Sequence, residues 1–170
     1  MTMKRTLKAA VAMAVIAVVG FTPMANAATK PTTAQKLQLQ YLVEEEKLAR
    51  DVYTYLSANV TTQKFSNILK SEQMHMDAIA TVLKTYNYFN PTLTRAPGVF
   101  RDATLQKLYN DLIAQGSVGF TAAMGVGVAI EELDISDLAK MLKSPMPADM
   151  KLALDNLMKG SVNHLAAFSR

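Results

Sequence analysis

The order of apolar and polar positions along the chain predicts a protein made of α-helices. Apolar residues recur at spacings of three and four over long stretches, and no segment shows the sustained alternation expected of a strand. The predicted long helices cover about residues 34–58, 63–86, 117–143 and 149–168, and a short helix covers about residues 103–115. The sequence therefore predicts an all-α fold.

Local signals predict where these helices begin and end. The short segment Asn59-Val60-Thr61-Thr62 separates the first two long helices. Asp102 is expected to cap the short helix and Gly116 to close it, while Ser117 is expected to cap the third long helix. The segment 144–147, which contains two prolines, ends that third helix.

The lengths of the connections predict how the helices are arranged. Short turns join the first long helix to the second and the third to the fourth, which implies antiparallel neighbours. Residues 87–116 form a much longer connection with the turn signals Asn90-Pro91 and Ala96-Pro97-Gly98 and the short helix within it. Two helical hairpins joined by one long crossover indicate a ferritin-like four-helix bundle rather than a simple up-down bundle.

The first 27 residues have the pattern of a cleaved secretory leader. A basic start precedes an apolar run at residues 9–21, and the small-residue sequence Ala25-Asn26-Ala27 follows. The apolar run is shorter than the roughly 20 residues that a transmembrane helix needs. We expect cleavage after Ala27, a flexible tether at residues 28–36, a bundle domain at residues 37–170, and a periplasmic or secreted location.

The leader also accounts for most of the basic character of the chain. Lys4, Arg5 and Lys8 contribute +3 of the formal net charge of +4, so the mature chain is close to neutral. Without a basic stripe interleaved with aromatic residues, nucleic acid is not expected as a partner. The leader contains no cysteine for a lipid anchor, so no stable membrane anchor is expected after cleavage. The expected state is a monomer or a small oligomer such as a homodimer.

Each long helix carries a stripe that is apolar at both ends and polar in the middle. Both histidines of the protein lie on these stripes, whereas no lysine or arginine does. Burying several ionised carboxylates in one layer is costly unless a positive charge lies between them. A divalent metal ion is the natural counter-charge. The polar members of the stripes are Glu46, Glu72, His75, Glu131, Asp134, Ser161 and His164.

The spacing of these residues is typical of metal sites in helical bundles. Glu72 and His75 are three residues apart and project from one helix face. Di-iron and di-manganese bundles take one glutamate from each of two helices and a Glu-x-x-His pair from each of the other two. In the fourth helix Ser161 precedes His164 at this spacing, so Asp134 would have to supply the missing carboxylate. The predicted metal ligands are Glu46, Glu72, His75, Glu131, Asp134 and His164.

Several positions near this layer allow two interpretations. A competing register of the first helix points Glu45 inward instead of Glu46, and Glu132 lies next to Glu131. Most of the acidic run 44–46 is expected on a solvated face, with Arg50 forming a surface ion pair with Glu46.

Two tyrosines on the stripes also have two interpretations. Tyr53 lies on the stripe of the first helix and Tyr86 on that of the second. Either phenol could donate a hydrogen bond to a ligand carboxylate, or both could serve simply as core aromatic residues.

Four motifs in order resemble the ferritin-like family catalogued as domain of unknown function 2202, over about Leu37 to Phe168. The first helix and the Glu72-x-x-His75 pair are also similar to rubrerythrins, and this resemblance implies that Glu46 binds iron. The fourth helix departs from rubrerythrins because Ser161 stands where they have a glutamate. The four motifs are EEEKLARDVYTYL, SEQMHMDAI, AIEELDISDL and GSVNHLAAF.

These observations lead to two functional hypotheses. The first is an exported ferritin-like protein that binds one or two transition-metal ions, with iron favoured and manganese or zinc still open. Two filled positions would allow a ferroxidase-like oxidation of Fe(II) by oxygen or peroxide. The alternative is a metal-free bundle that acts as a binding or envelope-interaction module, which the serine at position 161 favours.

Overall fold

The computed structural model describes residues 30–170, which form five α-helices and contain no strand. The prediction of an all-α protein is confirmed for this part of the chain. The expected leader lies outside the described residues. None of the described helices is long and apolar enough to cross a membrane. The helices are α1 (Thr33–Asn59), α2 (Gln63–Thr85), α3 (Ala103–Gly116), α4 (Phe120–Met141) and α5 (Ala148–Phe168).

The first helix begins earlier than the predicted tether allows. The hydroxyl of Thr32 accepts a hydrogen bond from the backbone N–H of Gln35, and the Gln35 side chain accepts one from the N–H of Thr32. This reciprocal pair is a capping box, which starts a helix by satisfying two otherwise free N–H groups. Residues 33–36 therefore belong to α1 and not to a tether.

The cap predicted for α3 is present, and the one predicted for α4 is wrong. Asp102 accepts hydrogen bonds from the backbone N–H groups of the first turn of α3. Ser117 instead lies at the C-terminal end of α3, where its hydroxyl donates to the carbonyl of Ile113 at 2.7 Å. The helix α4 begins after Gly119, whose φ of +153° favours glycine.

The four long helices contact one another in a ring, and α3 packs outside it. α1 contacts α2, α2 contacts α5, α5 contacts α4, and α4 contacts α1, while α3 lies against α1 and α4. One apolar cluster joins the start of α1 to the end of α2, the end of α4 and the start of α5. Hence α1 and α2 are antiparallel, α4 and α5 are antiparallel, and α2 and α4 point the same way. The buried members of this cluster are Leu39, Leu42, Val43, Ile79, Val82, Leu83, Leu138, Met141, Met146, Met150, Leu154 and Leu157.

A second apolar cluster fills the opposite end of the bundle. Its centre is a group of three aromatic rings, Tyr53, Phe65 and Phe168, with centroids 5.2–5.6 Å apart. Gly127 makes room for this group, because a Cβ atom there would lie 2.6 Å from the ring of Phe168. Each fully buried aromatic or leucine side chain contributes roughly 1.5–3 kcal/mol. The two clusters thus stabilise the ends of the bundle and leave a polar layer between them.

The crossover is fastened to α1 by the acidic run that the sequence placed in solvent. Glu44 accepts hydrogen bonds from the backbone N–H of Arg101 at 2.5 Å and of Asp102 at 3.3 Å. Glu44, Glu45 and Glu46 are all buried, with exposed fractions of 2–4%. The prediction of a solvated face for this run is wrong because α2, α3, α4 and the crossover cover α1 on several sides.

A buried ion pair provides a second attachment. The ammonium of Lys47 lies 2.5 Å from Asp51 and donates to the carbonyl of Ala96 at 2.9 Å. Asp51 also accepts the N–H of Gly98, and the Lys47 ammonium lies over the ring of Phe100. The crossover segment around residues 96–100 is therefore held against α1 by charge-assisted contacts.

Candidate metal centre

The polar layer between the two apolar clusters receives buried side chains from each of the four long helices. α1 contributes one carboxylate, α2 a glutamate and a histidine, α4 two carboxylates, and α5 a serine and a histidine. None of these residues is more than 8% exposed. The structure brings Ser161 together with the six residues predicted as metal ligands, which are Glu46, Glu72, His75, Glu131, Asp134 and His164.

Three of these residues form one group with potential ligand atoms close together. The Nδ1 atom of His75 lies 3.0 Å from Glu72 Oε2 and 3.2 Å from Glu46 Oε2. One ligand atom from each residue lies within 4.8 Å of the others. Glu72 and His75 reach the same point because they lie three residues apart on α2.

A second group uses the other oxygen of Glu72. The Nδ1 atom of His164 lies 2.8 Å from Glu72 Oε1 and 3.5 Å from Glu131 Oε2. Neither His164 Nδ1 nor Glu72 Oε1 makes a well-directed hydrogen bond among the described residues, so their approach is short but poorly aligned. The rings of His75 and His164 stack with centroids 5.5 Å apart. Glu72 is thus shared, with one oxygen facing each histidine.

Further buried atoms in this layer also lack hydrogen-bond partners within residues 30–170. They include Glu46 Oε1 and Asp134 Oδ1. A buried polar atom without a partner costs roughly 1–3 kcal/mol. A cavity of about 10 Å³ lies among Glu45, Glu46, Glu72, Glu131 and Asp134, which is about the room needed for one water-sized species. The layer therefore offers unpaired acidic oxygens around a space of ionic size.

Burial and mutual repulsion raise the pKa of three of these carboxyl groups. Burial, together with the charges of Asp134 and Glu72, raises the pKa of Glu46 well above its usual range. Burial and the charge of Glu72 raise the pKa of Glu131 to about 7, although His164 opposes the shift. Burial also raises the pKa of Asp134 to about 6. Such shifts are those of carboxyl groups that are buried beside other acidic groups.

Glu72 is the exception, because both imidazoles contact it. Burial alone would raise its pKa, but His164 and His75 outweigh burial and lower the pKa to about 2. In turn, burial disfavours the charged form of His164, yet Glu131 and Glu72 raise the pKa of that imidazole to about 10. The shared glutamate is therefore the carboxylate that the protein itself keeps ionised.

One of the two tyrosines on the stripes supports the centre. The phenol of Tyr53 donates a hydrogen bond to Glu131 Oε1 at 2.7 Å, as one of the sequence interpretations expected. The phenol of Tyr86 donates instead to Asp149 at 2.6 Å, in an exposed pair away from the layer. Tyr53 therefore orients a carboxylate of the second group, whereas Tyr86 does not contact the centre.

Asp134 lies in the layer but belongs to neither group of three. The hydroxyl of Ser161 donates a hydrogen bond to Asp134 Oδ2 and also contacts the carbonyl of Leu157. Asp134 lines the small cavity together with Glu46 and Glu72. Asp134 is therefore an additional acidic residue beside the two groups of potential metal ligands.

The register of α1 gives a result that the sequence analysis did not anticipate. Both Glu45 and Glu46 are buried, but only Glu46 belongs to a group of potential ligands. On α4, Glu131 points inward and Glu132 is exposed. The predicted pair between Arg50 and Glu46 is wrong, because Arg50 contacts Asp51. In the sequence, only the competing register of the first helix indicated that Glu45 is buried. Both Glu45 and Glu46 are buried because other elements cover α1 on several sides.

The fold and this layer define a class of helical bundle with a buried carboxylate–imidazole cluster. Residues 35–170 match the family described as "Uncharacterized protein domain (DUF2202)". The chain belongs to this family. The resemblance seen in the four sequence motifs is confirmed at that level.

One relative gives both a sequence and a structural comparison. The chain is 45% identical over 127 residues to "Uncharacterized protein MJ0754" of Methanocaldococcus jannaschii, covering 75% of this chain and 69% of the relative. A crystal structure described as hypothetical protein MJ0754 from Methanococcus jannaschii superposes with a TM-score of 0.80 at 41% identity. That superposition covers 83% of this chain and 81% of the other. The similarity therefore extends through most of the helical domain.

Proposed function

We propose that this protein is a ferritin-like bundle that binds two divalent transition-metal ions in its polar layer, with iron favoured. The observation that carries the proposal is the position of Glu72. Its two carboxylate oxygens face two separate histidines, each of which has a further glutamate nearby. A carboxylate in this position can bridge two ions, which are about 3.5–4 Å apart in two-metal sites.

The arrangement of the helices supports a ferritin-like fold. The ring α1–α2–α5–α4 has two antiparallel hairpins, and its crossover passes from the end of α2 to the start of α4 at the opposite end of the bundle. Ferritin-like bundles combine this connectivity with ligands that project inward from all four helices.

The residues present suit metal binding chemically. One ion would be held by Glu46, His75 and one oxygen of Glu72, and the other by Glu131, His164 and the second oxygen. Imidazole and carboxylate ligands together are compatible with iron, manganese or zinc. Cations here would neutralise the buried carboxylates and occupy the oxygens that have no hydrogen-bond partner within the described helices.

The reaction that this centre best supports is oxidation of Fe(II) by oxygen or peroxide. Two Fe(II) ions would each give up one electron, and these two electrons with two protons from solvent would reduce dioxygen to hydrogen peroxide, or hydrogen peroxide to two water molecules. The protein would position the bridging carboxylate through His75 and His164 and orient Glu131 through Tyr53. The apolar clusters at both ends would shield the layer from bulk water. The leader pattern supports a periplasmic or secreted location as part of the proposal.

A second function is favoured by one observation. Ser161 replaces a glutamate that rubrerythrin-like sites would have, and it satisfies Asp134 Oδ2 without any metal. A bundle with this substitution could serve as a metal-free interaction module. The two functions differ in whether the layer binds cations at all.

An anaerobic titration of the metal-free protein with Co(II) and then Fe(II) distinguishes them. The wild-type protein should bind two equivalents. Glu46→Gln and Glu131→Gln should each lose one equivalent, and Glu72→Gln should lose both. The matched control is Glu132→Gln, which removes an exposed carboxylate and should leave the stoichiometry at two. Binding of less than one equivalent by the wild-type protein would reject the metal centre and favour the interaction module.

A further inference from the structure

A groove on the surface of the bundle approaches the polar layer at Glu45. α1, α4 and the crossover enclose a space of about 890 Å³ that opens to solvent. Tyr41 and Phe89 form part of its apolar wall, and Asp137 and Lys140 of α4 lie along it. The space is large enough to admit a hydrated cation with its water molecules. The small cavity of the metal centre lies on the other side of one side chain, Glu45.

Glu45 lines both the groove and the inner cavity. Glu45 is only 4% exposed, and neither of its carboxylate oxygens has a hydrogen-bond partner within residues 30–170. A buried carboxylate without partners is costly, and proteins rarely retain one without a use. Its charged neighbours are Asp134 on the inner side, Asp137 on the groove side and Lys140 at the rim.

The other carboxylates of the groove are already engaged. Glu44 binds the backbone N–H groups of Arg101 and Asp102, and Asp102 caps α3. Asp137 is partly exposed and lies 2.6 Å from the exposed ammonium of Lys140, in a pair that a cation could displace. Glu45 is thus the acidic group of the groove wall whose oxygens are free in the described structure.

We propose that Glu45 is a transit ligand for divalent cations, which binds an ion from the groove and delivers it to the metal centre. The proposal rests on the proposed function, because it needs a centre that binds metal. An ion leaving water for a buried layer needs replacement oxygen ligands along the way. Asp137, Glu45 and then Glu46 with Asp134 provide carboxylates in that order, from the rim of the groove to the cavity.

The rates of metal loading and release test this role. A transit ligand lowers the barrier in both directions, so its removal should slow loading and release by the same factor and leave the affinity unchanged. We expect Glu45→Gln to load Co(II) at least tenfold more slowly than the wild-type protein in stopped-flow absorbance, and to release it to a chelator at least tenfold more slowly. The stoichiometry should stay at two, and Asp137→Asn should slow loading by a smaller factor. Glu132→Gln is the control and should load at the wild-type rate.

The possible results separate this proposal from the metal centre itself. A wild-type loading rate in Glu45→Gln would overturn the transit role, with the metal centre intact. Loss of one equivalent in Glu45→Gln would also overturn it, because Glu45 would then be a permanent ligand. Wild-type protein that binds no Co(II) would reject the proposed function. If Glu45→Gln fails to fold, the loading rate of Asp137→Asn tests the transit path instead. A rate below that of Glu132→Gln would support the proposal, and an equal rate would overturn it.

Discussion

The hydroxyl of Ser161 on α5 donates a hydrogen bond to the carboxylate of Asp134 on α4. This pair occupies the position where a bundle with two complete Glu-x-x-His motifs would have a fourth glutamate. The contact holds Asp134 beside the small cavity and leaves its other oxygen without a partner among the described residues. The serine therefore does more than remove a ligand, because it fixes the carboxylate that could replace it.

Ser161→Ala should destabilise the metal-free protein by roughly 1–3 kcal/mol, because Asp134 Oδ2 would lose its buried donor. Urea denaturation with and without a saturating divalent cation measures the effect. If Asp134 contributes to the metal centre, the loss should become smaller when metal is bound. Equal stabilities of Ser161→Ala and wild-type protein in the metal-free state would contradict this account of the contact.

The hydrogen bond from Tyr53 to Glu131 predicts a selective effect on one half of the centre. Tyr53→Phe removes only the phenolic oxygen and should lower the affinity of the second ion by roughly 10–100-fold, as loss of an orienting contact to a metal ligand typically does. Isothermal titration with Co(II) should resolve the weaker ion. Tyr86→Phe is the matched control, since its phenol contacts Asp149 instead. Equal affinities of the two variants for the second ion would show that Tyr53 does not support metal binding.

Two glycines within helices predict opposite effects of the same substitution. A Cβ atom at Gly160 would lie 2.4 Å from Nε2 of His75, whereas one at Gly125 would have nothing within 4 Å. Gly160→Ala should displace the imidazole, cost roughly 1–3 kcal/mol, and weaken metal binding near His75. Gly125→Ala should stabilise the protein by roughly 0.5–1 kcal/mol, because alanine favours a helix interior. Thermal unfolding and Co(II) titration of the two variants provide the comparison, and similar melting temperatures would contradict it.

Much of the polar layer could be predicted from sequence because its members follow helical spacing. Glu72 and His75 share a face at a separation of three residues, and apolar residues at both ends of each stripe fix the level of the layer. The capping residue Asp102 was recognisable for the same local reason. Such features depend on residues that are near one another in the chain.

The burial of residues 44–47 could not be predicted in this way. A stripe analysis assumes that one face of a helix is covered, whereas α1 is covered by α2, by α4 and by the crossover with α3. Glu44 and Lys47 find their partners in the crossover, at residues 96–102. That segment has no periodic pattern, so its path over α1 was not apparent from the sequence. Glu45 remained ambiguous for this reason.

The shifted pKa values predict how the stability of the metal-free protein depends on pH. Burial and the charge of Asp134 raise the pKa of Glu45 from 4.5 to about 9. Burial is also the main cause that raises the pKa of Glu131 to about 7 and that of Asp134 to about 6. A carboxyl group with a raised pKa in the folded state binds its proton more tightly there than in the unfolded chain. Its stabilisation is complete below the unfolded pKa and is lost as pH rises through the folded value.

The free energy of unfolding of the metal-free protein should therefore fall between about pH 5 and pH 9. The pKa of His164, raised from 6.5 to about 10, makes stability fall over the same direction of pH. The pKa of Glu72 is lowered to about 2, so this residue reduces stability only as pH falls below 4.5. Glu45→Gln should flatten the decline and raise stability near pH 8 by several kcal/mol, because each pKa unit corresponds to about 1.4 kcal/mol, whereas Glu132→Gln should not. Chemical denaturation across this pH range is the measurement. Stability that rises with pH in the metal-free protein would contradict the expectation, although saturating metal should produce such a rise because binding releases protons.

The attachment of the crossover predicts a loss of stability on substitution of a lysine outside the polar layer. Lys47 is 1% exposed and contacts both Asp51 and the carbonyl of Ala96. Lys47→Met keeps most of the side-chain volume but removes the buried ammonium from Asp51 and from the carbonyl of Ala96. Asp51 keeps its contacts with Arg50 and with the N–H of Gly98, so the loss should be roughly 1.5–3 kcal/mol. Lys107→Met removes an exposed pair with Asp111 and should cost less than about 1 kcal/mol.

Urea denaturation of the two lysine variants measures this difference, and limited proteolysis locates it. Loosening of the crossover should make cleavage near residues 96–100 faster in Lys47→Met, while the polar layer keeps its stoichiometry for Co(II). A loss below about 1 kcal/mol, or cleavage at the wild-type rate, would mean that the ion pair does not hold the crossover. Because the groove is bounded by the crossover, loading of Co(II) should change in Lys47→Met even when the number of bound ions does not.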